Sequence, residues 1–217
     1  MDLIVLATRN EGKARELAAL LAGLARRFES LATHPEVLLP PESEPSYRAN
    51  ALSKARAVQQ ALGVPALGDD SGLEVDALAG APGLLSARYA GEGAGTGAGV
   101  DPAVTDRANN ERLLRELAHT PADLRSARFR CALALVLGPG QEVVVEGSCE
   151  GDILDVPRGT GGFGYDPLFL PEGESRSFAE LPGDVKDAIS HRARAAHALR
   201  EALGAARAGL GWVNPAS

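Results

Sequence analysis

The sequence predicts an α/β protein built on a mixed β-sheet, and three observations carry that prediction. The chain opens strand, loop, helix; two long β-rich runs adjoin each other past its middle; and it closes on a helical stretch. An opening strand followed by a helix belongs with parallel pairing, whereas two runs separated by a short turn form a hairpin. A sheet containing both is mixed.

Residues 2–7, "DLIVLA", are a short apolar run followed by the polar turn "TRNEGK". From Ala14 the period changes: Leu17, Leu20, Leu21 and Leu24 fall at i, i+3, i+4 and i+7, one face of a helix. The Pro-rich connector "LLPPESEPS" leads to a second helix, on which Ala51, Ala55, Val58 and Leu62 share the apolar face. On that helix Tyr47, Asn50 and Lys54 line a neighbouring polar edge. "VPALG" reads as a short strand that delivers Asp69 and Asp70 at its end, before a Ser71-Gly72 turn. "EGAGTGAGVDP" is a Gly-rich connector, residues 105–118 form a helix, and "ARFRCALALVLG" and "QEVVVEGSCEG" are hairpin strands about "PG". "GTGGFGYDPLF" is Gly-rich before a strand-like end, and "DVKDAISHRARAAHALREAL" reads as one closing helix. The expected organisation is a single domain over residues 1–205 and a C-terminal tail over 206–217.

Composition narrows the function classes. The 217 residues are 45% hydrophobic and 24% charged, with no apolar run long enough to cross a bilayer, so no membrane role is expected. The start "MDLIVLATRN" has an early Asp and no basic leader segment, and reads as a cytoplasmic strand rather than a secretory signal. A net charge of −7 argues against a nucleic-acid backbone as partner but leaves nucleotides open as small molecules. Cys131 and Cys149 lie in apolar runs without metal-site spacing and read as buried thiols.

Four stretches carry chemistry. "TRNEGK", Thr8 to Lys13, stands between strand and helix, where N–H groups and the helix dipole favour an anion such as a polyphosphate. It reads equally as an ordinary polar loop. Asp69 and Asp70 repel one another unless a cation or a hydrogen-bond network offsets the repulsion, which fits a magnesium site, with Glu42 or Glu44 as a third carboxylate. The plain alternative is a capping Asp with a solvated neighbour. "GGFGYD", Gly161 to Asp166, offers close backbone approach and a ring, Phe163, for stacking a base, or else a glycine turn with its aromatics in the core. "SHR", Ser190 to Arg192, follows Lys186 and brings donors for a purine carbonyl or a phosphate; Ser190 could equally cap a helix.

Together "TRNEGK", "SYRANALSKA", "GDDSGL", "GAPGLLSARYAG", "GTGGFGYDPLF" and "KDAISHR" resemble, in order, the Ham1-like inosine triphosphate pyrophosphatases, the bacterial dITP/XTP pyrophosphatases. The resemblance spans residues 3–203. Arg9, where many members carry glycine, and Glu44-Pro45 depart from the common pattern. The resemblance implies an elongated mixed α/β fold of two lobes with a central nucleotide-binding cleft. It also implies a homodimeric, Mg2+-dependent enzyme that cleaves ITP, dITP and XTP to the monophosphate and pyrophosphate. It marks Asp70 as proton acceptor and metal ligand, with Glu42 and Asp69 as further metal carboxylates. Thr8, Asn10, Lys13, Lys54 and Ser71 are then expected at the phosphates or sugar, with Arg9, Glu11 and Gly12 also among the substrate-binding residues. Phe163, Gly164, Tyr165, Asp166, Lys186, His191 and Arg192 are expected to complete the substrate pocket.

Other readings share parts of this pattern. A Maf-like nucleotide pyrophosphatase, a small-molecule phosphatase and a non-catalytic nucleotide-binding module are each separable by the products formed from ITP.

Overall fold

Leu3–Leu6 form strand β1, whose Ile4, Val5 and Leu6 are fully buried. In the computed structural model, residues 1–91 and 101–207 are described; residues 92–100 of the expected Gly-rich connector and 208–217 of the expected tail lie outside them. Helix α1 (Glu11–Leu20) starts where the Asn10 side chain accepts the Lys13 N–H, an N-cap that satisfies one of the helix's orphan donors. It stops before Leu24, because Gly23 turns the chain at φ 86. Leu24 still packs on the core beside Leu17 and Leu21.

Strand β2 (Arg27–Ser30) pairs parallel with β1, Leu3 opposite Arg27. The periodicity did not announce it, since only Phe28 in the segment is apolar. Helix α2 (Tyr47–Leu62) opens on the Ser46 side chain, which accepts from Ala49 N, and closes on the left-handed Gly63. Its Ala51, Ala55 and Val58 are fully buried.

Strand β3 (Ala66–Val75) corrects the expectation that a strand ends at the two aspartates. It runs straight through Asp69, Asp70 and the Ser71-Gly72 pair, because both carboxylates are buried with cationic partners and the backbone keeps its ladder. Helix α3 (Pro102–Glu116) begins earlier than 105, with Asp101 as N-cap and Pro102 as its first residue, and ends short of 118. Strands β4 (Ser126–Gly138) and β5 (Gln141–Ile153) are joined by the two-residue turn Pro139-Gly140, with Gly140 at φ 73. Strand β6 (Phe169–Pro171) pairs antiparallel with β5.

The closing helical stretch is two helices, α4 (Gly183–Ile189) and α5 (His191–Arg207). Ser190 breaks it with an extended backbone, ψ 159. Because α5 continues to Arg207, a tail starting at 206 is too early by two residues.

The six strands form one mixed sheet in the order β2-β1-β3-β4-β5-β6. The chain divides into two compact units, with boundaries inside β3, β4 and β5. The first unit comprises residues 1–70, 131–147 and the C-terminal part from His191; the second comprises 71–130 and 148–190. In the first, α1 and α5 cover Ile4, Leu6, Leu67, Leu133 and Leu135, while α2 covers Val5 and Ala66 with Val58. Arg200 of α5 donates to Leu20 O and Ala22 O, closing the C-terminus of α1. The second unit has its own core, with Phe129, Phe169 and Phe178 at centroid separations of 4.7 to 5.9 Å among Leu73, Leu113 and Leu168.

Candidate active site

In the first unit, the loop from β1 to α1 is organised by its own side chains. Thr8 Oγ1 accepts the Asn10 N–H at 3.1 Å, Asn10 caps α1, and Lys13 Nζ reaches Asp69 Oδ2 at 2.9 Å. Glu11 accepts from Ser30 Oγ, and Gly12 is half-buried in the first turn. The Arg9 guanidinium donates to the carbonyls of Leu31 and Val37 at 3.1 and 2.7 Å, so it ties down the 31–37 segment.

Successive side chains of a strand point to opposite faces, and Asp69 and Asp70 accordingly have different company. Asp69 meets Lys13 of α1, Cys131 Sγ of β4 at 3.3 Å, and Arg192 Nε of α5 at 3.5 Å. Arg192 is itself held by Glu16 at 3.2 Å. Burial pushes the Asp69 carboxyl up, but Lys13, Arg192 and Lys54 outweigh it and hold the group well below the usual carboxylate range. Asp70 instead meets α2. Asn50 Nδ2 donates to Oδ2 at 3.0 Å and Lys54 Nζ lies 3.2 Å from Oδ1. The close approach of α2 depends on Gly68, where a Cβ would stand 2.0 Å from Ala51 O.

Lys54 is also 2.8 Å from Glu42 Oε1, so one buried ammonium serves two carboxylates. Burial lowers the Lys54 proton affinity, yet Asp70, Glu42 and Asp69 together raise it above the ordinary lysine value. Burial raises the Asp70 pKa and Glu42 raises it further, against the lowering effects of Lys54 and the Asn50 hydrogen bond. A base stronger than an ordinary carboxylate results. Glu44 takes no such part; its N–H donates to Asn50 Oδ1.

The second unit holds the Gly-rich loop. Gly162 has φ 72, and a Cβ there would lie 2.0 Å from Asp166 Oδ2. That oxygen accepts the Phe163 N–H at 2.9 Å and Lys186 Nζ, from α4, at 2.6 Å. The same ammonium stands 5.2 Å from the centre of the Phe163 ring. Asp166 and Lys186 are buried and Phe163 only partly so, which places a part-exposed ring beside a fixed ion pair. Tyr165, by contrast, is a core residue: its ring packs in the second unit's core and its hydroxyl donates to Ser86 O at 2.9 Å. Ser71, half-buried, follows Asp70 on β3 in this unit. His191 and Arg192 are buried in the first unit, where Arg192 sits with Asp69.

Residues 4–202 match the Ham1 family over most of the chain. The chain belongs to the Ham1 family. A dITP/XTP pyrophosphatase of Geobacter sulfurreducens is 47% identical over 204 residues, which cover 94% of this chain and 98% of that protein. One of Streptomyces coelicolor is 46% identical over 94% of this chain and all of that protein. Among solved structures, a HAM1 protein from Coxiella burnetii superposes with a TM-score of 0.79 at 37% identity, covering 94% of this chain and 99% of that one. A nucleoside-triphosphatase, or dITP/XTP pyrophosphatase, from Mycobacterium abscessus superposes with a TM-score of 0.70 at 44% identity, covering 91% and 98%.

Within this Ham1-family chain, the pair Glu42 and Asp70 fits a divalent cation. Two carboxylates around one ammonium carry an uncompensated negative charge, and a magnesium ion characteristically takes one or two carboxylates and completes its shell with water and phosphate. The pleat of β3 turns Asp69 towards Lys13 and Arg192. Asn50, Glu16 and Cys131 are participants missing from the expected set. Asn50 had a signal, its place on the polar edge beside Lys54; the other two had none.

Proposed function

We propose that this chain hydrolyses the α-β phosphoanhydride of non-canonical purine nucleoside triphosphates, ITP, dITP and XTP, giving the monophosphate and pyrophosphate. In this reading it works as a magnesium-dependent homodimer in the cytoplasm. Support comes from relatives named dITP/XTP pyrophosphatase, which are 46% and 47% identical over nearly their whole length. The observation that carries the chemistry is the Glu42-Lys54-Asp70 group, whose Lys54 and Asp70 are buried.

Magnesium, held by Glu42 and Asp70, would neutralise phosphate oxygens and acidify bound water. The protein's own part follows from the site. Asp70, oriented by Asn50 and Lys54, accepts the proton of the attacking water. As the new P–O bond forms, the anhydride P–O bond breaks and its electron pair leaves with pyrophosphate. Lys13, the N-terminus of α1 and Lys54 take the phosphate charge, with Asp69, itself paired with Arg192, fixing Lys13. Phe163 stacks on the base, and Lys186 donates to a 6-carbonyl, which hypoxanthine and xanthine carry and adenine replaces with an amino donor.

Phosphorus NMR of a dITP digest with magnesium tests this reading. It predicts dIMP and pyrophosphate; dIDP with inorganic phosphate, or no turnover, contradicts it.

A further inference from the structure

Helix α3 lies outside every part of the site named so far, yet two of its side chains hold the loop that carries Phe163 and Asp166. Asp106 Oδ2 accepts the Gly164 N–H at 2.7 Å, and Asn110 Nδ2 donates to Gly164 O at 2.9 Å. The two residues are i and i+4 and so share one face of the helix. Gly164 has φ 63, a left-handed conformation in which its N–H and C=O must both find partners away from regular structure. Both partners come from α3.

The Asn110 amide points to a specific purpose. It is buried, and its Oδ1 has no hydrogen-bond partner among the described residues. A leucine of similar size would avoid that unpaired acceptor, but would give up the donor to Gly164. Asp106 likewise keeps a half-buried carboxylate close enough to Asp166 for the like charge to raise its proton affinity, on top of the larger effect of burial. Both groups bear a cost that the bond to Gly164 explains. Next in the loop, Tyr165 donates to Ser86 O, and Asn109 of α3 donates to the same carbonyl at 3.2 Å. Phe163 and Asp166 flank the two residues that α3 fixes directly or through Ser86.

We propose that Asp106 and Asn110 are positioning residues for base selection: by clamping the two backbone groups of Gly164 they set Phe163 and Asp166 for the purine. This rests on the functional reading above and adds to it a control of specificity from outside the pocket. Their role is confined to the base, because the bonds they make to the loop are to Gly164, between Phe163 and Asp166.

The test compares wild type with D106A, N110A and D106N. Three quantities are measured: the dITP to dATP ratio of kcat/KM, competitive inhibition of dITP hydrolysis by inorganic tripolyphosphate, and the melting temperature. D106A and N110A should lower the ratio by about tenfold or more, the scale of a mis-set pocket contact. D106N, whose amide oxygen still accepts from Gly164, should keep it. Tripolyphosphate, having no base, should inhibit all variants alike. An unchanged ratio in folded D106A and N110A overturns the proposal, as does an equal loss of dITP turnover, dATP turnover and tripolyphosphate affinity. Should an alanine variant not fold, N110D, which cannot donate to Gly164 O, must lower the ratio while D106N keeps it; equal ratios overturn the proposal. Wild-type protein that releases no pyrophosphate from dITP overturns the functional reading itself, before any variant is compared.

Discussion

Lys54 Nζ lies 3.2 Å from Asp70 Oδ1 while also 2.8 Å from Glu42 Oε1, so a single buried ammonium separates two carboxylates. Removing that ammonium leaves their repulsion uncompensated. K54M should destabilise the fold by about 3 kcal/mol, the scale for breaking a buried pair. Adding E42Q should restore part of the loss by removing one of the two charges. Urea unfolding of the single and double variants checks this. A double variant no more stable than K54M would mean that repulsion between the two carboxylates is not the source of the loss.

Asp69 and Glu42 should separate by their response to magnesium. Asp69 lies with Lys13, Arg192 and Cys131, whereas Glu42 shares Lys54 with Asp70. D69N should raise KM for dITP by loosening Lys13, with the magnesium concentration for half-maximal rate unchanged. E42Q should raise that concentration by about tenfold or more, the scale of a disturbed metal shell. Equal shifts in the two variants would return Asp69 to the metal.

Stability should depend on pH through Asp76 in the second unit. Hydrogen bonds from Arg128 and then Ser126 hold its pKa below the ordinary value. A depressed carboxylate stabilises the fold above its unfolded pKa, and the contribution disappears as pH falls through the folded value. Its side chain is 45% exposed, so the pair is worth about 0.5 to 1 kcal/mol after solvent screening. D76N should unfold at lower urea than wild type at pH 7, and the gap should close towards pH 3. A gap that widens on acidification would contradict the assignment.

The parts of the fold legible in the sequence were those written in local pattern. Helix α2 carries its own cap in Ser46, its stop in Gly63 and an unbroken stripe of Ala51, Ala55 and Val58. Strand β2 had one apolar residue and no signal, and Asp69-Asp70 read as a strand end because their compensation is remote. Asp69 is paid for, so to speak, by Lys13, 56 positions away in the chain. The candidate site was legible by type, but its wiring was not. Arg9 stood among the expected substrate-binding residues, and its guanidinium reaches carbonyls 22 and 28 positions away. Tyr165 stood among them too, and its ring packs in the second unit's core. Cys131 had only its apolar neighbours to be read by, and the strand register sets its thiol against Asp69.

In the proposed reaction Asp70, held by Asn50 and Lys54, is the proton acceptor. The most direct measurement is the rate of pyrophosphate release from dITP at saturating magnesium by wild type and by D70N, with melting curves recorded on the same preparations. The account predicts a kcat lower by at least about a hundredfold in a folded D70N protein, the lower end of what a general base contributes. A folded D70N variant that releases pyrophosphate at close to the wild-type rate would contradict it.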